Sequence, residues 1–219
     1  MMLEEFTIRL KNQLSEELPG LEAQNKMLPT ARDERFVFPV YETAPVHSAV
    51  LILFYQGSDG HIHFPLIQRT TSNGAHSGQV GLPGGKYEER DLTMINTALR
   101  EAHEEIGIDP ANCTILGSLT PLHIAVSNFV VTPIAGFTNV KPSFIPEPSE
   151  VENIIESPLD DLLNPALKKN GTIIIRDNLK VQTPYFDLAN RVVWGATAMI
   201  LSELTEIIER AGISLLSKK

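Results

Sequence analysis

The segment from Arg100 to Gly107 is the part of the chain best suited to chemistry. It reads Arg-Glu-Ala-His-Glu-Glu-Ile-Gly, so three carboxylates and one guanidinium fall within six positions. Because each helical residue advances by about 100°, Glu101, Glu104 and Glu105 lie on one stripe of a helix. Like charges at this spacing repel one another. They become favourable when a hard divalent cation such as Mg²⁺ bridges them to a phosphate, so the pattern indicates a metal site for phosphate chemistry.

The surrounding residues decide between such a metal site and an ordinary solvated helix face. Glutamate is a good helix former, and two adjacent glutamates alone favour the solvated face. A glycine pair, Gly84-Gly85, precedes the segment, however, and Gly107 follows it. The stripe opposite the glutamates is apolar and contains Ile95, Ala98, Leu99, Ala102 and Ile106. Together these features favour a helix with one buried face and one face of carboxylates beside a glycine turn.

The stretch from Gly85 to Ile108 resembles the Nudix box, usually written G-x5-E-x7-R-E-U-x-E-E-x-G-U with U aliphatic. Residues 100–108 match this pattern at every fixed position. The front departs from it, because Asp91 replaces the first glutamate and eight residues rather than seven separate Asp91 from Arg100. The variation lies in the loop and the first helical turn. We therefore expect an intact metal site and assign no role to Asp91.

A second motif is similar to the signature of coenzyme A diphosphatases, a Nudix subfamily. That signature places an arginine after a strand, then H-x-G-Q, then F-P-G-G running into the box. This chain has Arg69 after Leu-Ile-Gln, His76 at the start of His-Ser-Gly-Gln, and Leu82 at the start of Leu-Pro-Gly-Gly. The resemblance implies hydrolysis of coenzyme A or a derivative to 3′,5′-ADP and 4′-phosphopantetheine.

Two departures from the signature keep other functions open. Leu82 stands where Phe is common, and Asn73-Gly74 stands where a Leu-Arg pair is common. An arginine missing at Gly74 removes one contact to a substrate phosphate. The first alternative is therefore a Nudix hydrolase of another nucleoside diphosphate derivative, such as ADP-ribose or NADH. A non-catalytic nucleotide-binding Nudix module is a more distant alternative, because such modules often lose the box glutamates that this chain retains.

The resemblance also implies a catalytic group. Glu101, Glu104 and Glu105 would be the ligands of Mg²⁺ or Mn²⁺, with Glu101 and Glu105 as the first choice. Arg100 would hold one of these carboxylates in place through a charge-assisted bond. The general base would be a box glutamate or a carboxylate of the acidic loop 147–152, where Glu150 best matches the family position; a solvated loop is the alternative.

The substrate would be bound just upstream of the helix. Arg69 follows a strand that leads towards the glycines, so it is either a fork for phosphate or a surface arginine. His76 would contact the substrate or hold its own loop. Gly84 and Gly85 would let the backbone pass close to the phosphates, where a side chain would obstruct it. We expect the aromatic residues Phe129 and Trp194 in the core rather than on the substrate.

Composition defines the class of protein. The 219 residues, 42% of them hydrophobic, can bury one good core. A net charge of −9 argues against a nucleic-acid partner, which would need a basic face. The single cysteine, Cys113, excludes an internal disulfide. No apolar run approaches the ~18 residues of a membrane span, and the acidic N-terminus lacks the features of a signal peptide. We therefore expect a cytoplasmic enzyme that does not bind a membrane.

The order of apolar and turn-forming segments predicts an α/β fold, the Nudix α/β/α sandwich with a mixed β-sheet. Residues 1–45 would be an N-terminal helix and arm, and 46–219 the Nudix hydrolase domain. Whether the first helix packs on its own domain or on a second subunit stays open, and with it a homodimer. Helices are predicted at 3–18, 93–106, 158–169 and 194–211. Strands are predicted at 49–55, 61–68, 112–118, 126–138, 172–176 and 179–186.

Overall fold

A computed structural model describes residues 1–71, 78–175 and 178–213. These residues form five α-helices and twelve β-strands. The helices are α1 (Leu3–Leu14), α2 (Gly20–Asn25), α3 (Met94–Ile106), α4 (Leu159–Leu163) and α5 (Gly195–Arg210). The strands are β1 (Ala31–Arg32), β2 (Val46–Gln56), β3 (Ile62–Arg69), β4 (Val80–Gly81), β5 (Gly84–Lys86), β6 (Thr114–Ser118), β7 (Leu122–Ile124), β8 (Phe129–Phe137), β9 (Val151–Pro158), β10 (Lys168–Ile174), β11 (Lys180–Leu188) and β12 (Arg191–Val193). Within these ranges, no helix has the length and apolar character needed to cross a bilayer.

The strands form two sheets. The larger sheet runs β4-β3-β2-β8-β6, with β5 beside β2, β7 beside β8 and β9 beside β3. Strands β2 and β8 are parallel, and the other pairs of this sheet are antiparallel. In the smaller sheet β11 lies between β1 and β10 and also pairs with β12. The larger sheet is therefore mixed, as predicted.

The central strand β2 is buried on both faces. Leu51 and Leu53 pack in one cluster with Ala102 and Ile106 of α3. The alternate residues Ile52 and Phe54 belong to a second cluster. That cluster also contains these side chains of α1 and α5: Phe6, Leu10, Leu201 and Leu204. The rings of Phe6 and Phe54 meet edge to face, 4.9 Å apart. Alternate residues of one apolar strand thus attach helices to opposite faces of the sheet.

The box helix α3 begins and ends at local signals. The Thr93 side chain accepts a hydrogen bond from Asn96 N at the N-terminus, and Gly107 adopts φ 73° at the C-terminus. The apolar stripe of this helix is shorter than predicted. Ile95 is 39% exposed, while Thr97 in the same turn is buried and donates a hydrogen bond to Asp91.

Two other helix predictions are wrong in extent. The first helix ends at Leu14 rather than at residue 18. The predicted helix 158–169 is only the five residues of α4, and residues 168–174 form β10 instead. Pro165 explains the stop, because a residue before proline disfavours helical geometry; Asn164 is extended at φ −82° and ψ 111°. Asn170-Gly171, expected at a helix end, pairs with β11.

Candidate active site

Glu105 lies at the inner side of α3, beneath the glycine pair. Its side chain is only 2% exposed. One carboxylate oxygen accepts a hydrogen bond from Gly84 N at 2.7 Å, and the other lies 3.3 Å from Nη1 of Arg69. Burial raises the pKa of Glu105 to about 7, although Arg69 and the Gly84 amide oppose the shift. The negative charges of Glu101 and Glu150 raise this pKa further.

Glu101 lies one helical turn away and has a similar environment. Its side chain is 14% exposed, and its Oε1 accepts a hydrogen bond from Arg100 Nη1 at 2.9 Å. Burial raises the pKa of Glu101, and the charges of Glu104 and Glu150 add to the effect. The protein therefore holds two carboxylates close together in poorly hydrated positions. A bound cation would relieve both the repulsion and the loss of hydration.

The glycine pair is needed because the chain passes directly against these side chains. Strand β5 pairs Gly85 with Ala49 and Gly84 with Val50 of β2. A Cβ atom on Gly85 would lie 2.6 Å from Oε1 of Glu101. A Cβ atom on Gly84, whose φ is 152°, would lie 2.6 Å from the Cα of Val50. Only glycine allows this approach.

Gly85→Ala should therefore displace the Glu101 carboxylate and lower kcat by about a hundredfold, because metal and phosphate positions depend on it. The fold should survive, since the collision is with a side chain that can turn away. Steady-state hydrolysis and thermal unfolding of the variant test this. Gly81→Ala is the matched control: its Cβ would meet only Thr197 Oγ1 at 3.5 Å. Normal turnover by the Gly85 variant would contradict the argument.

Arg100 connects the carboxylates of Glu101 and Glu104 to strand β5. Its Nη1 donates to Glu101 and to Glu104, at 2.9 Å each, and its Nη2 donates to the carbonyl oxygen of Lys86 at 2.9 Å. The Glu104 side chain is 48% exposed and also lies 3.6 Å from Arg90. Glu104 is thus the most accessible of the three glutamates and the least fixed.

The sequence motif assigns no role to Asp91, but the structure does. Its side chain is 3% exposed and accepts two bonds from Arg100, at 2.8 Å from Nε and 3.0 Å from Nη2. It also accepts bonds from Thr97 Oγ1 and Glu88 N. The Arg100 guanidinium holds the pKa of Asp91 well below its usual range. Asp91 therefore fixes the arginine that holds Glu101 and Glu104. The sequence signal for this role is an acidic residue just before the helix.

Asp91→Asn should lower kcat about tenfold to a hundredfold, the usual effect of a residue that orients metal ligands. The amide keeps the shape but removes the charge that fixes Arg100. Because the predicted metal ligands remain, higher Mg²⁺ concentration should recover part of the loss. A titration of activity against Mg²⁺ checks this. An unchanged metal dependence would contradict the positioning role.

The loop before β9 brings Glu150 to the same place. Ile145 N and Glu147 N donate to the carbonyl oxygens of Ile106 and Glu105, both at 3.0 Å, so the loop is fixed to the end of α3. The carbonyl oxygen of Glu150 accepts a bond from Thr70 N at 3.0 Å. These backbone bonds place an exposed carboxylate near enough to raise the pKa of two box glutamates.

Arg69 contacts Glu105 and the glycine pair, and its role as a phosphate fork stays a prediction. Besides Glu105, its guanidinium bonds to the carbonyl oxygen of Gly84 at 3.1 Å, and its side chain is 33% exposed. Both terminal nitrogens of the guanidinium therefore contact the site itself. The other predicted substrate contact, His76, lies outside the described residues. Phe129 and Trp194, expected in the core, are both half-buried.

The donors suit a hard cation, although they do not form a closed metal cage. Across residues 1–71, 78–175 and 178–213, no three acidic, His or Cys side chains converge on a common point. Arg100 neutralises Glu101 and Glu104 in this arrangement. The nearly buried carboxylates of Glu101 and Glu105, facing a bare glycine backbone, nevertheless supply the oxygen ligands that Mg²⁺ or Mn²⁺ prefers.

Comparison with known proteins decides the family. Residues 45–176 match the NUDIX domain family. The chain belongs to the Nudix family. Its α/β fold also agrees with a solved Nudix hydrolase from M. smegmatis, RenU, at a TM-score of 0.56 over 86% of this chain and 99% of that one. The identity of that pair is 17%, so the likeness concerns the fold alone. The predicted Nudix fold is confirmed.

Two relatives are similar in sequence over most of the chain. Nudix hydrolase 15, mitochondrial, of Arabidopsis thaliana is 35% identical over 187 residues, which cover 81% of this chain and 62% of the relative. The Nudix hydrolase NudL of Pectobacterium atrosepticum is 38% identical over 140 residues, 64% of this chain and 71% of the relative. The chain thus spans about three fifths of the plant Nudix proteins that it matches.

Proposed function

We propose that this protein hydrolyses the diphosphate bond of a nucleoside diphosphate derivative with the help of a divalent metal ion. The observation that carries the proposal is the pair Glu101 and Glu105, nearly buried, with raised pKa values, beside the bare backbone of Gly84-Gly85. Such a site has room for phosphates and excess negative charge for a cation. An ordinary solvated helix face has neither property.

Glu101 and Glu105 would hold the metal, and Glu104 would join them directly or through water. In that position, Mg²⁺ or Mn²⁺ would supply neutralisation of the phosphate charge and activation of water. The chain's own residues do the rest. Arg100 and Asp91 orient the carboxylates, Arg69 and Gly84 N hold Glu105, and the glycine backbone admits the phosphates. Glu150 is the candidate for accepting the proton of the attacking water.

Coenzyme A or one of its derivatives is the substrate that we propose, with 3′,5′-ADP and 4′-phosphopantetheine as products. The support is the signature around Arg69, which continues through His-Ser-Gly-Gln into Leu-Pro-Gly-Gly and the box. The departure at Asn73-Gly74 makes ADP-ribose and NADH the competing substrates.

A small substrate panel tests the proposal: coenzyme A, acetyl-coenzyme A, ADP-ribose and NADH, each with Mg²⁺ and with Mn²⁺, with products identified by mass spectrometry. We expect release of 3′,5′-ADP from coenzyme A well above the other rates. Preference for ADP-ribose or NADH would keep the metal site and reassign the pocket. Absence of turnover of all four would overturn the proposed activity.

A further inference from the structure

Lys86 belongs to the site through its main chain but not through its side chain. It is the last residue of β5 and directly follows the glycine pair. Its carbonyl oxygen accepts a bond from Arg100 at 2.9 Å. Side chains alternate along a strand, and the missing Cβ of Gly85 points at Glu101. The Lys86 side chain therefore projects from the face of the sheet opposite to the box glutamates.

On that face, the ammonium of Lys86 contacts an aromatic ring. Its Nζ lies 5.9 Å from the centre of the Phe129 ring. In the described part of the chain, no carboxylate forms an ion pair with this ammonium, whereas Lys26 and Lys169 are paired with Glu206 and Asp187. An exposed contact between a cation and a ring is weaker than a charge-assisted bond to an anion. Lys86 can therefore leave the ring for an anionic ligand.

The position of Lys86 limits what that ligand can be. Among the described strands β5 pairs only with β2. Side chains of the site bond to its second edge, and the bond from Arg100 to the carbonyl oxygen of Lys86 brings Lys86 next to the arginine that holds Glu101. Phe129 is half-buried and packs against the apolar core below α5. A substrate whose diphosphate lies at Glu101 and whose nucleoside crosses the edge of β5 would bring its next anionic group to Lys86. In a protein of net charge −9, an unpaired ammonium beside the site favours such a group.

We propose that Lys86 is a specificity-determining residue that binds a phosphate carried by the nucleoside, outside the scissile diphosphate. This inference rests on the proposed function. In coenzyme A that group is the 3′-phosphate, which lies one sugar ring from the diphosphate. ADP-ribose and NADH have no phosphate at this position, so Lys86 would favour coenzyme A over both.

The test compares coenzyme A with dephospho-coenzyme A, which differs only by the 3′-phosphate. Lys86→Met should raise KM for coenzyme A about tenfold, leave its kcat within about twofold, and leave both constants for dephospho-coenzyme A unchanged. Lys86→Arg should keep most of the preference for coenzyme A over dephospho-coenzyme A, because it keeps the positive charge. Lys11→Met is the matched control, because it removes the same charge from an exposed position on α1.

A binding measurement separates this inference from the reaction. By calorimetry, wild-type protein should bind 3′,5′-ADP about tenfold more tightly than 5′-AMP, and Lys86→Met should bind the two equally. An equal rise of KM for coenzyme A and dephospho-coenzyme A in Lys86→Met would overturn the role of Lys86. An equal loss of affinity for 3′,5′-ADP and 5′-AMP would do the same. A protein that cleaves neither substrate, yet prefers 3′,5′-ADP only when Lys86 is present, would overturn the proposed reaction and support the phosphate site.

Discussion

Glu101→Gln and Glu105→Gln should each lower kcat by at least about a hundredfold at saturating substrate. Both replacements keep the size of the side chain and its hydrogen-bonding oxygen but remove the charge that would hold a divalent cation. Glutamine at 101 can still accept the bond from Arg100, and glutamine at 105 can still accept the bond from Gly84 N. The loss should therefore be one of metal binding and catalysis, with the fold preserved.

The effect should be graded along the helix. Glu104→Gln should cost less than the other two changes, because Glu104 is 48% exposed and held only by arginines. Glu16→Gln is the matched control, since it makes the same chemical change at an exposed position just after α1. Kinetics at several Mg²⁺ concentrations, with thermal unfolding of each variant, provide the measurement. Near-normal kcat in both Glu101→Gln and Glu105→Gln would refute the assignment of ligands.

Glu105→Gln should also stabilise the metal-free protein at alkaline pH. Burial raises the pKa of Glu105 from an ordinary value of 4.5 to about 7. The unfolded carboxyl loses its proton near the lower value, and the folded carboxyl keeps it up to the higher one. Between these values the folded state binds more protons, so its free energy of unfolding falls as pH rises. The loss approaches about 3 kcal/mol above pH 8.

Glutamine at position 105 does not titrate, so the free energy of unfolding of the Glu105→Gln variant should not show this fall. Urea unfolding in EDTA at pH 5 and at pH 8 measures the difference, with Glu16→Gln as the control for a carboxylate on the surface. From pH 5 to pH 8, the difference in free energy of unfolding between wild type and Glu105→Gln should move in favour of the variant by up to about 3 kcal/mol. An unchanged difference would show that Glu105 carries no raised pKa.

Local signals explain why the box helix was predictable. A Thr93 cap, an apolar stripe, a glycine at the C-terminus and three glutamates at helical spacing all lie within one segment of the chain. Each of these effects acts between residues that are close in sequence, so it can be read without the rest of the fold. The apolar run of β2 was predictable for the same reason, since a strand buried on both faces must be apolar throughout.

Tertiary structure decided the remaining features because they depend on partners far away in sequence. Glu105 is buried by Gly84 and Arg69, and nothing local distinguishes it from the exposed Glu104 next to it. Lys168 and Lys169 are good helix formers, but they pair with β11 after Pro165 stops the helix.

The sequence by itself thus determined the family and the helix that presents the carboxylates, whereas the glycine pair, predicted as a turn, lies in strand β5. The tertiary structure alone decided which carboxylates are buried, which arginine holds each of them, and where the Lys86 ammonium lies. Spacing fixes the direction of a side chain on its own element, whereas burial and charge depend on what the other elements place against it.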